Sequence, residues 1–117
     1  MITIKIPVPP SVNAAYRVVG NRPILSKDAR EYRKRILNDY GTVNGFGKAK
    51  IAIVIYATLG NRIRRDLDNL CKVSLDALQH AGWYDSDWSI DELHIIRLKP
   101  NKNDPHLLVS ISEVDHG

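Results

Sequence analysis

The chain has 117 residues, with 17 Lys and Arg, 13 Asp and Glu, a single cysteine and a formal net charge of +4. That length suits one domain with one core, the lone cysteine excludes an internal disulfide, and the lack of any run of about 18 apolar residues excludes a membrane-spanning helix. The modest positive surplus favours polyanionic partners.

Ile2, Ile4 and Ile6 alternate with Thr3 and Lys5, which predicts a strand with one buried face that stops at Pro7. The same alternation is unlike the apolar stretch of a secretory leader, so a cytoplasmic location is expected. Pro9-Pro10-Ser11-Val12-Asn13 predicts a turn or loop. From Ser26, a candidate N-cap, the residues Ala29, Tyr32, Arg33, Ile36, Leu37 and Tyr40 recur at helical spacing until Gly41. Along this stretch Arg30, Arg33, Lys34 and Arg35 form a basic group that reads equally well as a solvated helix face.

The β-branched run Lys50 to Ala57 predicts the most buried strand, broken by Gly60-Asn61. A second helix is expected from about Leu67 or Asp68 to Ala81, with Leu67, Leu70, Cys71, Ser74, Leu78 and Ala81 inward and Asp68, Lys72 and Asp76 on the outer stripe. Two strands follow, about Ser89 to Lys99 and His106 to Val114, joined by the turn-rich Asn101 to Pro105. The order β-α-β-α-β-β predicts an α+β fold over residues 1–117: one mixed sheet covered by two helices, with a hairpin at the end.

The chemistry concentrates in Arg64-Arg65-Asp66-Leu67-Asp68-Asn69-Leu70-Cys71-Lys72, preceded by Arg62. Closely spaced carboxylates repel each other unless a cation sits between them, which makes such a pair a natural ligand for a hard divalent ion. Residues two apart on a helix point about 200° from each other, so Asp66 and Asp68 can share an ion only at the helix end, with Asp66 extended and Asp68 at the N-cap or first turn. The arginines would bring phosphate to that ion, and Lys72, one turn beyond Asp68, is either a surface ion pair or an ammonium aimed at the same phosphate. A second acidic group, Asp85, Asp87, Asp91 and Glu92, follows the second helix and offers a third carboxylate. Trp83, Tyr84 and Trp88 surround it. At least two of these rings are expected to cap the core, and an exposed one would suit stacking on an unpaired base. The four histidines have no metal-ligand spacing, and Ser11 and Cys71 have no recognisable catalytic partner, which leaves Cys71 as a small core residue.

The run Arg64 to Leu78 closely resembles the signature of the RusA family of Holliday junction resolvases, small endonucleases often carried by phages and prophages. Pro9-Pro10-Ser11-Val12-Asn13 with Tyr16 and Arg17 resembles that family's N-terminal element, and Gly82-Trp83-Tyr84 followed by Asp87 resembles its third acidic motif. The resemblance implies that Asp66, Asp68 and Asp87 bind Mg²⁺, that Lys72 is the catalytic lysine, and that Arg65 and Asn69 lie beside the site and hold DNA. It also implies a homodimer cutting symmetric strands of a four-way junction, a substrate whose two-fold symmetry matches an isologous dimer. Arg62, Arg64, Asn13, Tyr16 and Arg17 complete the expected DNA-contacting set, the last three in or beside a polar loop from Asn13 to Pro23 that would serve as an arm toward DNA or a second subunit.

The third motif departs from the family pattern at Ser86 and Ser89, which stand where an Asp and a Gln are usual, so Asp85 and Asp91 remain alternatives to Asp87. Two rival readings follow from other weightings of the same residues. One is a non-catalytic, structure-specific DNA-binding protein of the same fold. The other is a phosphatase or glycosyltransferase with an Asp-x-Asp pair, in which the pair usually follows an apolar strand directly and not a group of arginines.

Overall fold

The computed structural model describes residues 1–61 and 65–114. In chain order the elements are β1 (Ile2–Ile6), α1 (Val12–Ala15), β2 (Tyr16–Val19), β3 (Arg22–Leu25), α2 (Lys27–Tyr40), β4 (Ile51–Thr58), α3 (Leu67–His80), a short 3₁₀ turn (Asp87–Ser89), β5 (Ile90–Arg97) and β6 (His106–Glu113). The fold is α+β, with a mixed four-stranded sheet in the order β1-β6-β4-β5 and a separate two-stranded sheet, β2-β3. No helix among the described residues is long and apolar enough to cross a membrane.

The period-2 patterns of three strands aim one face of the sheet at the helices. Ile4 and Ile6 of β1, Ile51, Ile53 and Ile55 of β4, and Leu107, Val109 and Ile111 of β6 are all buried in one core with Tyr32 and Ile36 of α2 and Leu70 and Leu78 of α3. β4 is indeed central, antiparallel to β6 and parallel to β5. Ser26 caps α2 by accepting a hydrogen bond from the Ala29 amide at 3.2 Å, and Gly41 ends that helix at φ +72°. Two tyrosines of α2 fasten it to the first strand and its exit: the Tyr40 hydroxyl donates to the Lys5 carbonyl and the Tyr32 hydroxyl to the Pro7 carbonyl, both at 2.6 Å.

Two expectations are corrected. β5 and β6 do not form the predicted terminal hairpin, because β4 lies between them. β5, reached through the crossover helix α3, pairs in parallel with one side of β4, and β6 pairs antiparallel with the other side. The region from Val12 onward is likewise no loop. Ser11 accepts a hydrogen bond from the Ala14 amide and starts the single turn α1, and Tyr16 to Leu25 then forms a hairpin with Val19 paired to Arg22. Its two-residue turn is Gly20-Asn21, with Gly20 at φ +63°, the geometry in which glycine takes the first turn position.

Candidate active site

Asp66 is the N-cap of α3, extended at φ −71° and ψ 144°, and Asp68 lies in the first helical turn. This is the arrangement that lets two carboxylates one residue apart face a common region, and the helix dipole favours negative charge there. The Asp66 side chain makes no capping hydrogen bond, so its oxygens are not committed to the helix end.

The outer stripe of α3 forms one wall of an open groove of about 430 Å³, and the 3₁₀ turn with the start of β5 forms the other. Asp68, Lys72 and Asp76 project from the first wall, Asp87 and Asp91 from the second, and Leu75, Ile90 and Leu93 line the floor and rim. Asp66 stands at the helix start, outside this lining. Among the described residues Lys72 is the one cation of the lining. Its Nζ lies 3.1 Å from Asp76 Oδ2, and the Tyr16 hydroxyl donates to the same carboxylate oxygen at 2.5 Å. Burial, together with this hydrogen bond to Asp76, pushes the Tyr16 phenol up to about 12.

Asp87 is held by the segment before it. Gly82 at φ +97° turns the chain out of α3, and the backbone of residues 43–47 pairs with 81–85 through Val43 N to Ala81 O at 2.8 Å, Phe46 N to Trp83 O at 2.9 Å and Asp85 N to Gly47 O at 3.0 Å. Trp83 and Tyr84 are buried, as expected of rings that cap the core, and the Tyr84 hydroxyl donates to the Leu75 carbonyl at 2.6 Å. Trp88 is 83% exposed, with the Lys50 ammonium 4.6 Å from its ring centroid.

Residues 6–112 match the family described as Endodeoxyribonuclease RusA, a span that includes both walls of the groove. The chain belongs to the RusA endodeoxyribonuclease family. It is 34% identical over 94 residues to the crossover junction endodeoxyribonuclease RusA of Enterobacteria phage HK97, covering 79% of this chain and 78% of the relative. It is also 34% identical over 101 residues to that of Enterobacteria phage 82, with 85% and 84% covered, and 32% identical over 103 residues to that of Escherichia coli strain K12, with 86% and 85% covered.

In this RusA-family chain the groove thus brings together Asp68, Lys72 and Asp87 of the predicted site with Asp91, the alternative third carboxylate, and it adds Asp76. Asp85 is exposed and does not line it. Arg65 is turned into the protein: its guanidinium donates to the Pro9 carbonyl at 2.8 Å and to Asn69 Oδ1 at 3.1 Å, and burial lowers its pKa from the ordinary value. Arg65 and Asn69 therefore tie the Pro9-Pro10 segment to the start of α3, a bracing role not anticipated from their place in a basic run. Asn13 and Arg17 are exposed, on α1 and β2 respectively. Arg62 and Arg64 lie outside the described residues. Cys71 is half-buried, with burial and the nearby Asp68 raising its thiol pKa, which suits a packing residue and not a nucleophile.

The donor chemistry fits a hard divalent cation, since carboxylate oxygens are its preferred ligands. Among the described residues no three His, Cys, Asp or Glu side chains form a ready cage. Mutual repulsion keeps uncompensated carboxylates apart, so closing such a set needs the ion's own charge.

Proposed function

We propose that this chain resolves four-way DNA junctions by metal-dependent phosphodiester hydrolysis, working as a homodimer with one groove per subunit. The observation that carries the reading is the meeting of Asp68, Asp87 and Lys72 in one open groove of a chain whose family is named for endodeoxyribonuclease activity. The names of the relatives, crossover junction endodeoxyribonucleases, supply the substrate class.

Asp66, Asp68 and Asp87 would hold Mg²⁺. Bound there, the ion would supply Lewis-acid polarisation of the phosphate and acidify an attacking water. Lys72 places a fixed positive charge in the groove, where it offsets negative charge that builds up on the phosphoryl oxygens and the leaving group as the bond breaks. Arg17 and the wider Lys and Arg surface hold the phosphate backbone, and Trp88 offers an exposed ring to an unstacked base at the branch. Cleavage and binding thus rest on different residues. In the cell the same activity would serve recombination and repair of DNA.

The test is cleavage of a synthetic four-way junction with Mg²⁺, beside linear duplex and beside the Asp68→Asn and Lys72→Ala variants. The expected result is paired, symmetric nicks in the junction alone, with both variants still binding the junction but losing cleavage by about 100-fold or more. Tight binding by the unsubstituted protein without nicks would replace this reading with that of a binding protein. Nicks left intact by Asp68→Asn would move the site elsewhere.

A further inference from the structure

Asp76 has no place in the proposed ligand set, yet it is engaged from two separate elements of the fold. Its side chain is 17% exposed against 54% for Lys72. It lies one turn beyond Lys72 on α3; its Oδ2 accepts the Tyr16 hydroxyl at 2.5 Å and lies 3.1 Å from the Lys72 ammonium, which donates to Oδ1 at 3.5 Å. The Lys72 Nζ also stands 6.0 Å from the centroid of the Tyr16 ring. Tyr16 reaches this point from the base of the β2–β3 hairpin, 60 residues away in sequence.

Helix stability does not account for the pair. With the lysine N-terminal to the acid, the i,i+4 order is the less favourable one, because it sets each charge against the helix dipole. Nor does a solvated surface pair account for a third partner brought from a different element. A lysine stem has four rotatable carbons and a strongly hydrated head, so a lone lysine on an exposed stripe samples many positions. Here the carboxylate that restrains it is itself fixed by a phenol, and that phenol keeps its proton through the neutral range and so remains a donor.

We propose that Asp76, held by the Tyr16 hydroxyl, is a positioning residue that aims the Lys72 ammonium across the groove. This rests on the reading of Lys72 as the cation that offsets charge in phosphodiester cleavage. The consequence is that the hairpin and the catalytic lysine are mechanically linked through one carboxylate. Asp76 acts on the rate of the chemical step through Lys72 and leaves junction binding to other residues.

Two measurements test this on the full chain. The first is ¹⁵N relaxation of the Lys72 ammonium by NMR, which reads its order without any need for activity. Its order parameter is expected to fall in Asp76→Ala and in Tyr16→Phe, and to fall less in Asp76→Asn, whose amide keeps one acceptor oxygen. The second is single-turnover cleavage of a four-way junction with Mg²⁺, with junction Kd measured in parallel. Asp76→Ala is expected to slow cleavage about 100-fold at unchanged Kd, the scale of a misplaced catalytic group. Tyr16→Phe should give a smaller loss, Asp76→Asn should recover most of the rate, and Asp76→Ala combined with Lys72→Ala should be no slower than Lys72→Ala alone. An equally ordered Lys72 in Asp76→Ala, a further loss in the double variant, or a Kd that weakens in step with the rate would each overturn the proposal. If the unsubstituted protein leaves junctions intact, the functional reading fails, while the relaxation result still decides whether Asp76 positions Lys72.

Discussion

At the scale of single residues, two glycines with positive φ separate backbone strain from close contact. Gly82 stands at φ +97°, and a Cβ built there would lie 2.1 Å from the Val43 carbonyl oxygen, which belongs to the backbone and has no flexible way to yield. Gly82→Ala therefore combines a left-handed conformation with a steric overlap, and the expected cost is about 3 kcal/mol. In a chain of this length that is a drop in Tm on the order of 10 °C, measurable by thermal unfolding followed by circular dichroism. An unchanged midpoint would mean that the 43–47 segment does not pack on the helix exit as described. The pairing matters to the site because it fixes the segment leading to Asp87. The placement of the two neighbouring acids was legible in the sequence for a geometric reason: acids one residue apart can face one region only at a helix end, and Asp66 and Asp68 do occupy the N-cap and first turn of α3. The inward turn of Arg65 and the hydrogen bond from Tyr16 to Asp76 were not legible. Both depend on which distant segments meet, and no local spacing encodes that.

At the scale of elements, the alternating Ile2, Ile4 and Ile6, the apolar run of β4 and the two long helices follow from local periodicity, and each was readable for that reason. The neighbour of each strand was not, because sheet order is a long-range property: β5 and β6 are adjacent in sequence and separated in space by β4. The β2–β3 hairpin did carry a local signal, the Gly-Asn pair between Val19 and Arg22, but Pro23 and the shortness of the two four-residue strands resemble a loop. Gly20 has φ +63°, and a Cβ added there would meet nothing within 4 Å, so Gly20→Ala adds strain alone, about 1 kcal/mol. Since the hairpin shares no strand with the four-stranded sheet, that strain should stay local. Amide hydrogen exchange is expected to quicken across residues 16–25 while β4 and β6 keep their protection. Faster exchange throughout the chain would show that the hairpin and the main sheet open as one unit.

At the scale of the whole molecule, the core draws three phenols inward, and this gives stability a defined dependence on alkaline pH. Tyr16 is pushed up to about 12, chiefly by burial, and burial raises Tyr32 and Tyr84 further still. The last two donate to backbone carbonyls, of Pro7 and Leu75, and an ionised phenol there would lose its proton donor and face a carbonyl oxygen. In the unfolded chain a tyrosine ionises near its ordinary value of about 10. Each group with a raised folded-state pKa therefore stabilises the fold fully below about pH 10, and that contribution is lost as the pH rises through the folded-state value. Thermal midpoints should be level from neutral pH to about 9.5 and fall from about pH 10 upward. The informative comparison is with Tyr84→Phe, which removes one buried phenol and leaves every other charged group in place. That variant should start lower at pH 7, because the hydrogen bond to Leu75 is gone, and should then fall less steeply above pH 10. Parallel curves for the two proteins between about pH 9 and 11 would show that Tyr84 holds its proton no more tightly in the fold than in the open chain.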